Sequence, residues 1–437
     1  MIDFLLKPEH DVKWFQEKLQ GKIADKQGRA IPLLVNKLIG DEDERRNWLE
    51  NNLLKVANEE TISLISQLQN NEEGKNILSG NYYMKSTSLS KQLHKNEGCE
   101  YASSNNSSFR LIHIGDLHYT CSNVEENDQE RRMKSMIKEL KNIQNEQSVS
   151  ALLFSGDIAA NKPADDMTAC GRKLDELFAV FGFGDNKEYV FFVPGNHDVS
   201  WNDFDNGIPA SQPYMSYVTM LEKVLSKAEL EKHVGYDRSG NEIPFDVGSD
   251  DLIWRRQLKM PQLDIIGIST VSTQKDEKGI GVISNNCIDY IRNEWGGAKR
   301  NDEIRILLMH HNLFSVLSYS NKDEKRITKN AGACLKALTQ CGCDLVISGH
   351  THRGEVTIYS TSALNNDGYN AKMTQVISIS AGTSGGVVPT GDFARSFNVI
   401  DISIFNIESR CSIDITPYLY DSANDSWNCS NKVALYL

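Results

Sequence analysis

The sequence predicts an α/β protein in which a layered α/β domain follows a helical amino-terminal region. Short runs of Ile, Val, Leu and Phe alternate with helical patterns beyond about residue 108, which is typical of a buried sheet covered by helices. Before that point the helical periodicity has no convincing strand pattern beside it. Near the carboxyl end, residues 397–405 and 411–418 predict a closing pair of antiparallel strands.

Composition divides the chain into three segments. Residues 1–83 are predicted to be a helical region, and residues 84–108, rich in Ser, Asn, Lys and Gly, predict a mobile linker. Residues 109–437 form the predicted α/β domain. The amino-terminal helices are either a packing appendage or a module that binds a protein partner or self-associates, and the sequence leaves both readings open.

Apolar runs mark the strands of the predicted domain. The seven predicted buried strands are residues 111–114, 151–154, 189–193, 263–268, 304–309, 345–347 and 376–379. An amphipathic helix is predicted between the first two, because Met133, Met136, Leu140 and Ile143 recur on one helical face.

Composition also restricts the class of protein. The 437 residues are 40% hydrophobic, and no apolar run is long enough to span a membrane. The net charge of -12 argues weakly against non-specific binding to nucleic acid or to an anionic membrane. Nine irregularly spaced cysteines and a first segment unlike a signal peptide predict a cytoplasmic protein without a disulfide framework.

Polar side chains follow five of the predicted strands, where sheets of this type place their sites. These residues are Asp116 and His118 after the first strand, Asp157 after the second, Asn196, His197 and Asp198 after the third, His310 and His311 after the fifth, and His350 and His352 after the sixth. The clustered carboxylates would repel one another without a cation, so the arrangement predicts a metal site.

The ordered motifs Asp-x-His, Gly-Asp, Gly-Asn-His-Asp, His and Gly-His-x-His resemble those of the calcineurin-like metallophosphoesterase superfamily over residues 108–420. The resemblance implies an αββα two-sheet sandwich with a two-metal centre at one edge. It implies that one ion is held by Asp116, His118, Asp157 and His352, and the other by Asp157, Asn196, His310 and His350, with Asp157 as the bridge.

The implied ligands combine carboxylate, imidazole and amide groups, which suits Mn, Fe, Zn or Co; we favour Mn, although the sequence does not choose among them. We expect a metal-bound hydroxide to attack the phosphorus in line. In the family, the counterpart of His197 assists the transition state or the leaving group. His197 is therefore the expected acid, with Asp198 orienting its ring.

Four further residues have open assignments. In the family, the histidine ligand after this strand is usually the first residue that follows it, which favours His310 over His311. His311 is then expected to lie next to the substrate, and Asn196 is expected to contact the substrate as well. Arg353 could contact a substrate phosphate, although an exposed or ion-paired arginine is the plainer interpretation. His113, inside the first strand, is expected to be structural.

The motifs also bear on substrate. Protein phosphatases of the group carry Gly-Asp-x-x-Asp-Arg-Gly and Gly-Asn-His-Glu, whereas this chain has Asp157-Ile-Ala-Ala160 and ends the later motif in Asp198. Its Gly-His-Thr-His is similar to the cyclic-nucleotide phosphodiesterase and nuclease branches. The favoured function is therefore hydrolysis of a nucleotide or related phosphodiester, and the alternatives are a DNA or RNA nuclease, a phosphomonoesterase or a non-catalytic scaffold.

Residues 199–262 form an insertion in the predicted domain. They include Trp201, a helix-like stretch at residues 214–230, and Trp254, Arg255 and Arg256. The insertion is expected either to cap the site, with aromatic and arginine side chains contacting a nucleotide, or to pack outside the sandwich as a helix.

Overall fold

The fold is seen in a computed structural model that describes residues 107–436. The gaps in this range are residues 121–125, 161–162, 185–186, 200–213, 237–241, 245–250, 260–261, 273–278, 301, 314–327, 365–370, 387–394 and 406–409. The predicted amino-terminal helices and the linker up to residue 106 lie outside the described residues, as does Trp201. The last two residues assigned to the linker belong to the first described strand.

Fifteen strands and six helices are described. The strands are β1 (Ser107–Ile114), β2 (Val149–Phe154), β3 (Val190–Phe192), β4 (His233–Tyr236), β5 (Glu242–Pro244), β6 (Asp251–Leu258), β7 (Leu263–Ile268), β8 (Ile304–Leu308), β9 (Leu345–Ser348), β10 (Glu355–Leu364), β11 (Ala371–Ser380), β12 (Ser396–Phe405), β13 (Arg410–Asp421), β14 (Ser426–Cys429) and β15 (Val433–Tyr436). The helices are α1 (Glu126–Glu146), α2 (Pro163–Val180), α3 (Met215–Val224), α4 (Lys227–Leu230), α5 (Asn285–Trp295) and α6 (Ala331–Gln340).

The strands form two mixed sheets. The first has the order β14-β13-β12-β1-β2-β3, with β15 paired to β13, and the second has the order β10-β11-β9-β8-β7-β6-β4-β5. In the first sheet β1, β2 and β3 are parallel. In the second sheet β7, β8, β9 and β11 are parallel. These parallel strands carry the loops that build the site.

The two sheets pack face to face and helices cover both outer faces. Side chains such as Leu111 and Leu153 of the first sheet share a buried core with Ile306 and Ile347 of the second. A second core joins the outer face of the first sheet to α1, α2 and α3, and a third joins the second sheet to α5 and α6. The predicted αββα sandwich is therefore confirmed.

The strand pattern explains why the chain folds in this way. Alternate residues of β1 face opposite layers: Phe109 and Leu111 enter the core between the sheets, whereas Ile112 and Ile114 enter the core under the helices. All seven predicted buried strands are present, and the predicted carboxyl-terminal pair is antiparallel, with Phe397 opposite Tyr418. The predicted amphipathic helix is α1.

The described part of the insertion belongs to the sandwich. Helix α3 buries Tyr217 and Leu221 in the same core as α2, and β6 pairs with β7 inside the second sheet. The described cysteines are free thiols and all except Cys429 are buried. Among the described helices, none is long and apolar enough to cross a membrane.

Candidate metal centre

The predicted ligands lie on five loops at one edge of the sandwich. The loops follow β1, β2 and β3 of the first sheet and β8 and β9 of the second. They carry Asp116 and His118, Asp157, Asn196, His310, and His350 and His352 respectively. Because the carboxyl ends of parallel strands meet at one edge, residues far apart in the sequence are brought together.

One cluster consists of Asp116, His118, Asp157 and His352. One ligand atom from each of these residues lies within 4.8 Å of those of the others. Nε2 of His118 is 2.9 Å from Nε2 of His352, and Nε2 of His352 is 3.3 Å from Oδ1 of Asp116. Two imidazoles and two carboxylates therefore point into one small volume.

Asp157 connects this cluster to a second group of side chains. Its Oδ2 lies 3.5 Å from Nε2 of His118 and 3.4 Å from Nε2 of His310. Nε2 of His310 is also 3.2 Å from Oδ1 of Asn196. The ring centroid of His350 lies 5.1 Å from that of His310. The arrangement places the Asp157 carboxylate between the two groups.

His310 and His311 face different partners. Nδ1 of His310 donates to the carbonyl oxygen of Ser155 at 2.7 Å, which leaves Nε2 directed at Asp157. Nδ1 of His311 instead lies 2.9 Å from Oγ1 of Thr270, and its ring centroid is 4.1 Å from that of His350. His310, His311 and His350 also form a potential ligand group, so His311 lines the second group.

Five of the predicted ligands have left-handed backbone conformations, in which non-glycine residues are uncommon. Asp116, His118, Asp157, His350 and His352 have φ values of 50°, 43°, 51°, 68° and 57° respectively. Such conformations cost about 1–3 kcal/mol each and persist only where surrounding contacts fix them. Their concentration on these loops is independent of the sequence motifs and is typical of a functional site.

Hydrogen bonds and two glycines hold these loops against one another. The His350 backbone N–H donates to Oδ2 of Asp116 at 2.9 Å, and the His118 N–H donates to the Asp157 carbonyl oxygen at 2.8 Å. A Cβ at Gly195 would overlap the Asp157 carboxylate, and one at Gly349 would overlap Asp116. Glycine at these positions therefore allows the backbone to approach the carboxylates closely.

Burial and neighbouring charges strongly shift the pKa values of the side chains in this site. Asp116 and Asp157 are 0% and 2% exposed. Burial alone would raise the pKa of Asp157, but the charges of His310 and His118 outweigh it and hold this pKa well below its usual range. Burial opposes protonation of His310, yet Asp157 raises its pKa to about 9. Burial lowers the pKa of His118 to about 4.

The donor set fits the metal ions that the motifs imply. Two buried carboxylates face imidazoles with strongly shifted pKa values, and such sites are stabilised by cations. Imidazole and carboxylate ligands suit divalent transition metals better than Ca²⁺ or an all-oxygen Mg²⁺ site.

Asp198 makes contacts different from those expected. Its Oδ2 accepts from the Gly195 N–H and its Oδ1 from the Ala159 N–H, both at 2.9 Å. The His197 ring is oriented instead by the carbonyl oxygen of Ala160, 2.6 Å from Nδ1. Asp198 thus contacts two backbone N–H groups rather than the His197 ring, contrary to the expectation that it orients this ring.

The arginines and the tryptophan of β6 are structural. Nε1 of Trp254 donates to the Phe192 carbonyl oxygen at 2.8 Å, and Arg256 pairs with Glu229 at 2.9 Å while both are buried. Nε and one terminal nitrogen of Arg255 donate to the two carboxylate oxygens of Asp264. Trp254 and Arg256 are buried and contact β3 and α4, and Arg255 pairs with Asp264 and Glu294, contrary to the expectation that these side chains contact a nucleotide.

The remaining residues singled out from the sequence differ in their burial and contacts. Arg353 is half-buried directly after His352. The expected structural role of His113 agrees with its contacts, since it is fully buried and its Nε2 lies 3.0 Å from Oγ of Ser155. Sequence reasoning missed Gln129, whose side chain donates to the His118 carbonyl oxygen at 2.7 Å. No local motif marks such a contact.

Comparison with known proteins gives one family. The sequence profile described as calcineurin-like phosphoesterase matches residues 109–354, more than half of the 437 residues. No curated protein matches the chain in sequence.

Several solved structures are similar at low identity. Purple acid phosphatase PPD1 from yellow lupin (Lupinus luteus) seeds is 12% identical with a TM-score of 0.46, and the match covers 76% of this chain and 54% of that one. NAD nucleotidase (NadN) of Haemophilus influenzae is 13% identical with a TM-score of 0.37, covering 75% and 54%. Vps29 of Entamoeba histolytica is 13% identical with a TM-score of 0.30, covering 75% and 99%. The chain thus spans about half the length of the first two proteins.

Proposed function

This chain belongs to the calcineurin-like phosphoesterase family, and on that premise we propose that it is a two-metal hydrolase of a nucleotide or a related phosphodiester. One observation carries the proposal: Oδ2 of Asp157 lies 3.5 Å from Nε2 of His118 and 3.4 Å from Nε2 of His310. A carboxylate in this position can be shared by two ions, which is the arrangement that two-metal phosphoester hydrolysis requires.

Two sets of side chains would hold the ions. The first set is Asp116, His118, Asp157 and His352, and the second is Asp157, Asn196, His310 and His350. Mn is the favoured metal, with Fe, Zn and Co as alternatives that the same ligands accept. When bound, two divalent ions neutralise phosphoryl oxygens and lower the pKa of a coordinated water.

His197 supplies a proton to the leaving oxygen in this proposal. Because the Ala160 carbonyl oxygen can only accept, the Nδ1 that lies 2.6 Å from it carries a proton and Nε2 is left to face the substrate. The ring centroid of His197 is 4.7 Å from that of His118, so the acid stands beside the first set of ligands. A protonated Nε2 could then donate to the departing alkoxide.

Asp198 is a positioning residue in this account. Its carboxylate ties the loop after β2 to the loop after β3 through the N–H groups of Ala159 and Gly195. The His197 backbone N–H also donates to Oδ1 of Asp157 at 2.8 Å. These bonds set the relative positions of the shared carboxylate and of the proposed acid.

The preference for a diester rests on the motifs. Residues 349–352 read Gly-His-Thr-His, similar to the cyclic-nucleotide phosphodiesterase and nuclease branches, and residues 156–160 lack the Asp-Arg-Gly of the protein phosphatases. A nuclease would need an electropositive track for the nucleic acid backbone, and the net charge of -12 weighs against it.

The test compares two substrates with the Mn-supplemented full-length chain: bis-p-nitrophenyl phosphate, a diester, and p-nitrophenyl phosphate, a monoester. We expect a higher kcat/KM for the diester, with activity abolished by a chelator and by Asp157→Asn. Asp414→Asn is the matched control, because it makes the same change at a partly exposed carboxylate that pairs with Lys432. Hydrolysis that survives both the chelator and Asp157→Asn would overturn the proposal, and a preference for the monoester would overturn the diester assignment.

A further inference from the structure

The side chain of Gln129 forms two hydrogen bonds to the loop that carries Asp116 and His118. Its Nε2 donates to the His118 carbonyl oxygen at 2.7 Å, and its Oε1 accepts from the Thr120 backbone N–H at 2.8 Å. Only this orientation of the amide satisfies both contacts, because a carbonyl oxygen only accepts and a backbone N–H only donates. Gln129 lies near the start of α1, so this helix is tied directly to the ligand loop.

The chain around His118 is held from two sides. On one side, the Tyr119 N–H donates to the Ile158 carbonyl oxygen in the loop after β2, at 2.8 Å. The backbone groups that flank Tyr119, the preceding carbonyl oxygen and the following N–H, instead bond to the Gln129 amide. The side chain of Gln129 therefore supplies the donor and the acceptor that a neighbouring strand would supply.

These contacts fix the backbone conformation of His118. Its φ is 43°, in the left-handed region, where a non-glycine residue persists only if surrounding contacts hold it. The His118 N–H is held by the Asp157 carbonyl oxygen and the His118 carbonyl oxygen is held by Gln129. The peptide groups on both sides of the His118 Cα are thus fixed, and together they set the direction in which its imidazole leaves the backbone.

Burial makes the two hydrogen bonds of Gln129 hard to replace. Gln129 is 7% exposed and Thr120 is 2% exposed, and polar groups this deeply buried are costly without partners. A small cavity behind the loop is lined by Leu117, Tyr119 and Gln129. Because packing against α1 is incomplete there, apolar contacts alone leave the loop room to shift, and the hydrogen bonds restrict it.

A shift of this loop would act on the first set of ligands. Nε2 of His118 lies 2.9 Å from Nε2 of His352 and 3.5 Å from Oδ2 of Asp157, both members of that set. The second set is carried by the loops after β2, β3, β8 and β9. Within the described residues, the hydrogen bonds of Gln129 go only to the loop after β1.

We propose that Gln129 is a positioning residue for the first metal ion: its side-chain amide fixes the backbone of His118 and thereby the imidazole that binds this ion. The inference rests on the proposed two-metal centre and adds to it a residue outside both ligand sets. Groups that orient a metal ligand without touching the ion change metal affinity by about 10–100-fold when they are removed. The same loss is expected here, confined to the first set.

Mn binding to the full-length chain, followed by the electron paramagnetic resonance signal of the free ion, tests this role. Gln129→Met keeps a similar helix propensity and removes both hydrogen bonds, and Gln129→Asn keeps an amide that is one methylene too short to reach both groups. The matched control is Gln144→Met, because Gln144 lies on the same helix and accepts from the Val149 N–H at 2.7 Å, at the opposite end of β2. We expect both Gln129 variants to weaken Mn binding by about tenfold or more and the control to leave it unchanged.

Two ligand variants locate the effect. In His310→Gln, which keeps the first set, adding Gln129→Met should weaken the Mn Kd, whereas in His352→Gln, which keeps the second set, it should not. Urea denaturation of the metal-free proteins measures the structural contribution separately. Gln129→Met and Gln144→Met each remove a hydrogen bond to a buried backbone N–H and should both lower the free energy of unfolding, so only positioning predicts a Kd that changes in one of them.

The outcomes separate this inference from the proposed function. A Kd in both Gln129 variants equal to that of the Gln144 control, or equal weakening in the two ligand variants, would overturn the inference. A wild-type chain that binds no Mn would overturn the metal centre and the inference with it. Because hydrolysis is not measured, a chain that binds Mn without cleaving either phosphoester would contradict the proposed function alone.

Discussion

The carbonyl oxygen of Ser155 lies 2.7 Å from Nδ1 of His310. Because a carbonyl oxygen can only accept, this contact places a proton on Nδ1 and directs Nε2 toward Asp157, so Nε2 is the nitrogen that would bind a metal ion. A hydrogen bond of this kind fixes the tautomer and the orientation of histidines that bind metals. His311 has a hydroxyl, Thr270 Oγ1, in the equivalent position, and a hydroxyl imposes no single tautomer.

The first prediction separates the two neighbouring histidines. We expect His310→Gln to lose about one metal ion per chain, because the glutamine cannot reproduce the imidazole lone pair that Ser155 orients. His311→Gln should retain both ions. Metal content measured by elemental analysis after dialysis checks this, and retention of both ions by His310→Gln together with a loss in His311→Gln would reverse the assignment.

The second prediction concerns Asp198. In Asp198→Asn one oxygen still accepts a backbone N–H, while the new amide group meets the other N–H donor. A buried donor left without an acceptor costs about 1–3 kcal/mol. We expect the free energy of unfolding, measured by urea denaturation, to fall by this amount. An unchanged value would show that these bonds do not hold the two loops.

The third prediction concerns the buried pair of Arg256 and Glu229. Arg256→Met should lower the free energy of unfolding by about 1.5–3 kcal/mol, because the buried Glu229 carboxylate loses this partner but keeps its ion pair with Lys232. Lys227→Ala, which breaks an exposed pair with Glu231, should change it by less than about 1 kcal/mol. The ratio of diester to monoester hydrolysis should stay the same in both variants, and a changed ratio in Arg256→Met would restore a substrate-binding role for β6.

The fourth prediction concerns the pH dependence of stability. Burial, and then the positive charge of Arg256, lower the pKa of His233 from 6.5 to about 3. Between these values the unfolded chain binds more protons, so this residue's contribution is fully present above pH 6.5 and is lost as the pH falls toward 3.

His233→Phe should therefore flatten the decline of unfolding free energy between pH 6.5 and pH 4 by up to about 1.4 kcal/mol per pH unit relative to wild type. Urea denaturation at several pH values, with a chelator in both samples, makes the comparison. Parallel curves for the two proteins would show that His233 titrates normally in the folded chain.

Much of the fold is visible in the sequence because buried strands of this sandwich are continuous apolar runs. Residues 263–268 illustrate this: every side chain in the predicted strand is buried, and the structure gives the same bounds for β7. Strand β6 escaped prediction because Arg255 and Arg256 break its apolar pattern. Their charges are neutralised by Asp264 and Glu229, and such tertiary pairing has no local signal.

The candidate site, like the fold, could be predicted only in part from the sequence. Side chains that could bind metal are recognisable after five of the predicted strands, and the structure brings Asp116, His118, Asp157 and His352 together. The groups that orient them could not be predicted in the same way, because the partners of His310 and His197 are carbonyl oxygens that every residue possesses. Only the fold determines which carbonyl oxygen is within reach.

The central claim is that Asp157 joins two metal ions in one catalytic centre. The most direct measurement titrates the metal-free chain with Mn and follows bound Mn and hydrolysis of bis-p-nitrophenyl phosphate in the same samples. We predict two ions per chain, activity that appears as the second ion binds, and a loss of activity of about 100-fold or more in Asp157→Asn, which should bind at most one ion. Full activity with one ion bound, or an Asp157→Asn variant that keeps two ions and wild-type activity, would contradict the account.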